Sequence, residues 1–134
     1  MNKPIEVAAG LIFRDGRLLI TQRPEGGHLP GRWEFPGGKC EPGETLPECL
    51  QRELREELGI EVCVGEPAET ITHSYPEKTV KLIFFHCQLA GGEPRGMEGQ
   101  SIAWVTSDEL DGYEFPEADA RLLEKLQRET AWWK

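Results

Sequence analysis

Three glutamates lie close together near the middle of the chain. Glu53, Glu56 and Glu57 occupy positions i, i+3 and i+4, so on a helix their side chains project from one face. Like charges at this spacing destabilise a bare helix by roughly 0.2–0.5 kcal/mol per pair, a cost that bound cations offset. Crowded carboxylates suit Mg²⁺, with Mn²⁺ as a substitute, and these metals bridge phosphate oxygens and lower the pKa of an attacking water. The spacing therefore indicates metal-dependent phosphate chemistry.

The surrounding residues favour this interpretation over a solvated acidic surface. A glycine turn that ends at Gly38 precedes the cluster, and Glu44 and Arg52 stand at fixed positions between the turn and the glutamates. A lone pair of glutamates on an exposed helix would need none of these neighbours. The whole arrangement is therefore interpreted as a functional site.

The local sequence specifies a helix to carry the glutamates. Thr45 and Glu48 fit a capping box with Thr45 as the N-cap, and Gly59 supplies a left-handed stop. The leucines that should pack on the core recur every four residues: Leu50, Leu54 and Leu58. We therefore predict a helix from the residue after Thr45 to the residue before Gly59.

Apolar or alternating runs bounded by turn residues predict the strands. They lie at 6–13, 17–23, 33–35, 62–64, 69–75, 80–89 and 102–105. Asp15-Gly16 is a turn signal between the first two, and residues 24–31 are predicted to form a loop. The run 80–89 is apolar enough for the middle of a sheet, and Pro116 opens a final helix.

This order of elements predicts one fold class. Strands mixed with two helices are typical of an α+β protein, an α/β/α sandwich with a mixed sheet between helices. The 134 residues, 38% of them hydrophobic, suffice for one core, so residues 1–134 are predicted to form a single domain.

The charge balance restricts the partners. Lys and Arg total 15 against 24 Asp and Glu, a formal net charge of −9 that repels polynucleotides and anionic membranes. A small phosphorylated substrate then requires divalent cations to neutralise the carboxylates. We expect no nucleic-acid or membrane partner, and a monomer.

The cysteines predict a reducing compartment. Cys40, Cys49, Cys63 and Cys87 include no closely spaced pair of the kind that binds zinc, and free thiols are the simplest interpretation. The early apolar stretch 7–13 lacks the features of an export signal. We therefore expect a cytoplasmic protein with four free thiols.

The spacing of the site residues resembles a known family signature. The pattern G-x5-E-x7-R-E-U-x-E-E-x-G-U, with U aliphatic, is the Nudix box, and every specified position matches it, from Gly38 to Ile60. Further pieces resemble the MutT-type branch of that family: Arg23, His28, 33–39, 44–45, 92–94, 98–100, 115–116 and Ala118. The resemblance implies the Nudix fold and hydrolysis of nucleoside triphosphates.

The resemblance also implies roles for the box. Glu53 and Glu57 match metal ligands, Glu56 matches a further ligand, and a backbone carbonyl at Gly37 or Gly38 completes part of the metal shell. Glu44 and Arg52 match residues that orient those ligands, a task that carboxylates around a metal require.

Glu98 stands outside the box. On residue type alone it is a solvated loop acid, but in MutT-type enzymes a glutamate at the matching place reaches the metals and serves as general base. Glu53 is a rival for that role, and the choice between them stays open.

The substrate-binding residues follow from the same resemblance. Cations beside a carboxylate cluster can bind polyphosphate oxygens, and an aromatic ring can stack on a base. The predicted substrate-binding residues are Arg23, His28, Phe35, Lys39, Tyr75, Lys78 and Asp119. Leu82 is expected to belong to the core.

Asp119 matches the position at which MutT-type enzymes carry an asparagine that bonds oxidised guanine. An asparagine offers a donor and an acceptor, whereas an ionised aspartate can only accept. Asp119 therefore suits the amine of cytosine or adenine directly, and the oxidised base when protonated. A role at the N-terminus of the final helix is the structural alternative.

Three functions are compatible with these residues. The leading one is hydrolysis of nucleoside triphosphates to monophosphate and pyrophosphate, with oxidised guanine deoxynucleotide as target and pool cleansing as purpose. A cytidine-type triphosphate pyrophosphohydrolase shares the box. A non-catalytic lesion-recognition module is the third, but such modules commonly lose catalytic carboxylates. Nudix enzymes that act on nucleotide sugars or ADP-ribose usually carry additional N-terminal elements, and here the pattern starts with the first strand.

Overall fold

The computed structural model describes residues 4–23 and 31–134. The strands are β1 (Ile5–Arg14), β2 (Arg17–Gln22), β3 (Trp33–Glu34), β4 (Gly37–Lys39), β5 (Glu61–Ser74), β6 (Thr79–Gly91) and β7 (Ile102–Val105). The helices are α1 (Leu46–Leu58) and α2 (Ala120–Arg128), with short 3₁₀ turns at Leu110–Gly112, Glu117–Asp119 and Thr130–Trp133. In the described ranges, neither helix has the length and apolarity needed to cross a bilayer.

The sheet is mixed, as the sequence predicts. Its hydrogen-bonded order is β3-β2-β1-β6-β5, with β1 parallel to β6 and the other pairs antiparallel. Because β4 pairs with the first half of β1, at 7–9, the glycine turn is tied to the centre of the sheet. The same register places the turn directly beside the helix that follows it.

Two apolar layers cover the two faces of the sheet. Leu50, Leu54 and Leu58 of α1 pack in one cluster with residues of β1, β2, β5 and β6. Leu122 and Leu126 of α2 belong to the other cluster. The helices therefore lie on opposite faces, which confirms the predicted α/β/α arrangement.

Helix α1 begins and ends as its sequence predicts. The Thr45 hydroxyl accepts a hydrogen bond from the Glu48 amide at 3.2 Å, and the Glu48 carboxylate accepts one from the Thr45 amide at 3.0 Å. Gly59 closes the helix at φ 68°, and its amide donates to the Arg55 carbonyl. Reciprocal capping at one end and a left-handed glycine at the other fix the segment locally.

Three predicted boundaries were wrong. Residues 37–39 form β4, because pairing with β1 overrides the turn preference of the glycines. The two strands expected at 62–64 and 69–75 are one edge strand, β5, in which irregular register between Val64 and Glu69 accommodates Pro67. The final helix begins at Ala120, after the 3₁₀ turn that follows Pro116.

The expectation of four free thiols was also wrong. Cys40 and Cys49 form a disulfide, with their Cα atoms 5.2 Å apart, whereas Cys63 and Cys87 are free. Cys40 follows β4 and Cys49 lies in the first turns of α1, so only the tertiary fold brings the two together. The bond links the strand of the glycine turn to the helix of the glutamates.

Thiol counting tests this disulfide. Under denaturing, non-reducing conditions we expect a thiol reagent to find the two free cysteines, and four after reduction. Cys63→Ala should give one thiol before reduction and three after it, which would show that Cys63 is one of the two free cysteines. Four thiols before reduction would show that Cys40 and Cys49 are reduced in the purified protein.

Candidate active site

The glycine turn and α1 bring two of the box glutamates together. Glu57 accepts a hydrogen bond from the Gly37 amide at 3.2 Å. Gly37 has φ 154°, and a Cβ there would overlap the backbone of Ala8. A Cβ at Gly38 would overlap the carboxylate of Glu53. The backbone therefore requires glycine at 37, and glycine at 38 leaves the space that the Glu53 carboxylate occupies.

Arg52 holds the outer side of the cluster. Its guanidinium binds Glu44 in a bidentate pair, with Nε to Oε2 at 2.7 Å and Nη2 to Oε1 at 2.9 Å. Nη1 donates to Glu53 at 3.0 Å and to Glu56 at 3.2 Å, and Nη2 also reaches the Lys39 carbonyl. One side chain thereby joins the glycine turn, the loop and the helix.

The bond to Arg52 lowers the pKa of Glu44 to about 2, and the Glu41 amide contributes through a second hydrogen bond. Glu44 is therefore ionised at any physiological pH. A permanent charge opposite Arg52 suits an orienting function.

Glu57 experiences the opposite environment. Burial raises its pKa to about 8, and the charges of Glu34, Glu53 and Glu98 add to the effect. Burial also raises the pKa of Glu53, although Arg52 opposes it. Glu57 thus lies in a region of excess negative charge, which a cation would relieve.

The donor set fits a hard divalent cation. Carboxylates of Glu53 and Glu57 lie beside the backbone of Gly37 and Gly38, and oxygen ligands of this kind suit Mg²⁺. Within the described part of the chain, however, no three acidic, histidine or cysteine side chains already stand in a chelating arrangement. Glu53 and Glu56 face Arg52, so binding requires their side chains to turn toward the cation.

Glu98 lies on the loop that follows β6, and its side chain is exposed. Its charge raises the pKa of both Glu53 and Glu57, which places the carboxylate within electrostatic reach of the cluster. The geometry is compatible with either Glu53 or Glu98 as general base.

A cavity of about 270 Å³ opens beside the glycine turn. Of the residues predicted to bind substrate, the structure brings together at its wall Arg23, Phe35, Lys39, Tyr75, Lys78 and Asp119. His28 lies outside the described residues. Leu82 was expected to belong to the core alone. It is partly exposed and lines the cavity, because the first residues of β6 face this opening.

Packed aromatic rings support one wall of the cavity. Phe35 stacks on Phe115 with ring centroids 5.1 Å apart and contacts the edge of Phe84 at 5.7 Å. It is buried among the core residues while it lines the cavity. Phe35 therefore serves the core and offers an aromatic surface to a planar ligand.

Asp119 is the most deeply buried acid among the described residues, with 6% of its surface exposed. Burial raises its pKa to about 7, with Arg23 opposing the shift and Glu34 reinforcing it. The described residues show no capping hydrogen bond from its side chain to α2. Asp119 is the N-cap residue of α2, so the alternative role, a favourable charge at the N-terminus of this helix, stays open.

Sequence reasoning missed Glu34. Burial raises its pKa, and Arg23 lies against it with Nε 3.0 Å from the carboxylate. Its charge acts on both Asp119 and Glu57, so it connects the cavity with the glutamate cluster. The available signal was a lone acid between Trp33 and Phe35.

The fold and the site define a hydrolase class. The chain belongs to the Nudix hydrolase family: the NUDIX domain model matches residues 8–125, and the chain is a pyrophosphohydrolase of the MutT type. It is 43% identical to an 8-oxo-dGTP diphosphatase of Haemophilus influenzae, over 96% of each chain.

Two further relatives agree with this assignment. A CTP pyrophosphohydrolase of Escherichia coli is 41% identical, over 91% of this chain and 90% of its own. The crystal structure of a MutT protein from Methanosarcina mazei superposes with a TM-score of 0.83 at 30% identity, covering 96% of this chain and 97% of that one. Relatives with different substrates are thus similarly close to this chain.

Proposed function

We propose that the protein hydrolyses nucleoside triphosphates to monophosphate and pyrophosphate with Mg²⁺, and that its principal substrate is 8-oxo-dGTP. The observation that carries the proposal is a buried, protonatable Asp119 on an apolar cavity that adjoins the glutamate cluster. We further propose that the protein acts as a monomer that cleanses the nucleotide pool of the cytoplasm, where the Cys40–Cys49 disulfide would be an exception among mostly reduced thiols.

The proposed division of labour follows the geometry. Glu53 and Glu57, with the carbonyls of the glycine turn, hold the cation, and Glu56 adds a ligand from the exposed side. A bound Mg²⁺ supplies charge stabilisation and a more acidic water. Arg52, anchored by Glu44, holds Glu53 and Glu56 beside the site, from which both would turn toward a bound cation. Glu53 or Glu98 removes the proton from the attacking water.

The cations at the cavity supply the remaining charge. We propose that Lys39 and Arg23 bind phosphate oxygens that the metal leaves free, since both line the cavity and Lys39 ends the strand of the glycine turn. Tyr75 and Lys78 lie at the rim, where the amide of each donates to the carbonyl of the other. They are proposed to border the nucleoside.

Asp119 is proposed to select the base. A protonated carboxyl offers a donor and an acceptor, which match the O6 acceptor and the N7–H donor of the oxidised guanine. The ionised form only accepts and suits the exocyclic amine of cytosine. A pKa of about 7 therefore makes both forms available near neutral pH, and the similarity to a CTP pyrophosphohydrolase makes CTP the second candidate.

The pH dependence of substrate choice tests this role. As pH rises from 6 to 8.5, Asp119 loses its proton, so the kcat/KM ratio of 8-oxo-dGTP over CTP should fall about tenfold. Because both substrates share the phosphate chemistry, the ratio cancels most effects of the metal site. Asp119→Asn should make the ratio nearly independent of pH and raise it about tenfold at pH 8.5, whereas Asp111→Asn, at an exposed turn, should behave as the unchanged protein.

A ratio that Asp119→Asn leaves unchanged, accompanied only by a lower melting temperature, would contradict base selection by Asp119. It would leave the structural role near the start of α2 as its function.

A further inference from the structure

The loop that carries Glu98 runs along the C-terminal end of α1. The Arg95 amide donates to the Leu58 carbonyl at 3.1 Å, and the Met97 amide donates to the Glu57 carbonyl at 3.0 Å. The last carbonyls of a helix have no partner within the helix, so the loop satisfies groups that would otherwise need water. Loop and helix end are therefore attached to each other through the backbone.

One side chain strengthens this attachment. The Gln100 amide nitrogen donates to the Glu57 carbonyl at 3.1 Å, and its Oε1 accepts from the Glu98 amide at 2.9 Å. If the side-chain amide were flipped, its NH₂ group would face the N–H of Glu98 and its oxygen would face the carbonyl oxygen of Glu57. Only the observed orientation therefore satisfies both backbone groups. The side chain thus bridges the backbones of two glutamates assigned to the site.

The surrounding turn leaves little room for another arrangement. The Gly99 amide donates to the Gly96 carbonyl at 3.0 Å, and Gly99 has φ 81°. A Cβ at Gly96 would overlap the backbone of Gln100. Glu98 lies at the exposed tip of this tight turn, with Gln100 at its base.

We propose that Gln100 is a positioning residue that fixes Glu98 relative to Glu57. The inference rests on the proposed participation of Glu98 in catalysis. Gln100 contacts neither substrate nor metal in this scheme and acts only through the backbone of the two glutamates. Displacement of a reacting group by about 1 Å can cost on the order of a hundredfold in rate, so two lost hydrogen bonds should be visible in turnover.

Amide exchange tests the attachment without any activity assay. In Gln100→Met, which keeps the length but loses both polar groups, the Glu98 amide should exchange about tenfold faster, measured by NMR. Gln51→Met is the matched control, because Gln51 also donates its amide nitrogen to a carbonyl, that of Val62, and is similarly half-buried. Unchanged exchange at Glu98 would overturn the proposal.

Kinetics test the consequence. Gln100→Met should lower kcat about tenfold or more with KM changed less than threefold, while Gln51→Met retains normal turnover. In a Glu98→Gln background the same Gln100 substitution should cost less than about twofold, because the group that it positions is already gone. The proposal would be overturned if the two substitutions lowered kcat independently, so that the double variant showed the product of the two single losses. Equal kinetics for Gln100→Met and Gln51→Met would overturn it as well.

Failure of this inference can be distinguished from failure of the proposed function. A protein that releases no pyrophosphate from any nucleoside triphosphate would contradict the function, and amide exchange would still decide whether Gln100 holds Glu98. An active protein in which Gln100→Met resembles Gln51→Met would contradict the positioning inference alone.

Discussion

Glu57→Gln is expected to lower kcat/KM by about two to three orders of magnitude at saturating Mg²⁺. The neutral amide keeps the shape but loses most of its affinity for a cation, and charge stabilisation by a metal is worth several kcal/mol. Since about 1.4 kcal/mol corresponds to tenfold in rate, a defect of this size follows. Steady-state assays of pyrophosphate release measure it.

Thermal unfolding in EDTA separates this defect from misfolding. Glu57 is buried near Glu34, Glu53 and Glu98. Above pH 8, where most of its carboxyl groups are ionised, the neutral replacement should therefore melt at or above the temperature of the unchanged protein. Glu66→Gln, at an exposed position of β5, should change neither property. Near-normal turnover of Glu57→Gln at saturating Mg²⁺ would remove Glu57 from the site.

The second large effect is expected for Glu53→Gln, which should lower kcat by about two orders of magnitude. Glu53 lies against Gly38 and receives a hydrogen bond from Arg52, so the amide can occupy the same space but cannot provide the charge. Both of its candidate roles, metal ligand and general base, require a carboxylate. Single-turnover and steady-state assays distinguish loss of chemistry from loss of binding.

Comparison with Glu98→Gln then identifies the base. If a substitution removes the general base, kcat should lose its dependence on the ionisation of that group. The other of the two variants should keep the pH profile of kcat and require a higher Mg²⁺ concentration for half-maximal activity. A Glu53→Gln variant with normal kcat and normal Mg²⁺ dependence would exclude both roles for Glu53.

The helix of the site was predictable because its determinants are local. Thr45, Glu48 and Gly59 fix the two ends of α1 by hydrogen bonds and backbone conformation within a few residues, and the leucine stripe determines its buried face. The spacing of the glutamates on that helix follows directly. For the same reason the match to the family signature was visible in the sequence alone.

The errors arose where distant segments meet. A turn was predicted at 36–38, but residues 37–39 form a strand because they pair in register with β1. Two strands were predicted at 62–64 and 69–75, but one irregular edge strand spans both, because an edge strand tolerates Pro67, which has no amide hydrogen. The pairing of Cys40 with Cys49 requires the end of β4 to lie beside α1.

Electrostatic environments were equally inaccessible to the sequence. The position of Asp119 was predicted, but its pKa depends on burial and on Arg23 and Glu34. Glu34 is a lone acid in a strand, and its connection to both the cavity and Glu57 is visible only in three dimensions. The hydrogen bonds of Gln100 likewise depend on the path of a loop around a helix end.

The most direct test of the proposed function is product analysis with 8-oxo-dGTP and Mg²⁺. We expect stoichiometric release of the nucleoside monophosphate and pyrophosphate, abolished by EDTA and reduced at least a hundredfold in Glu57→Gln. Formation of the diphosphate with orthophosphate, or absence of hydrolysis for every canonical and oxidised nucleoside triphosphate, would contradict it.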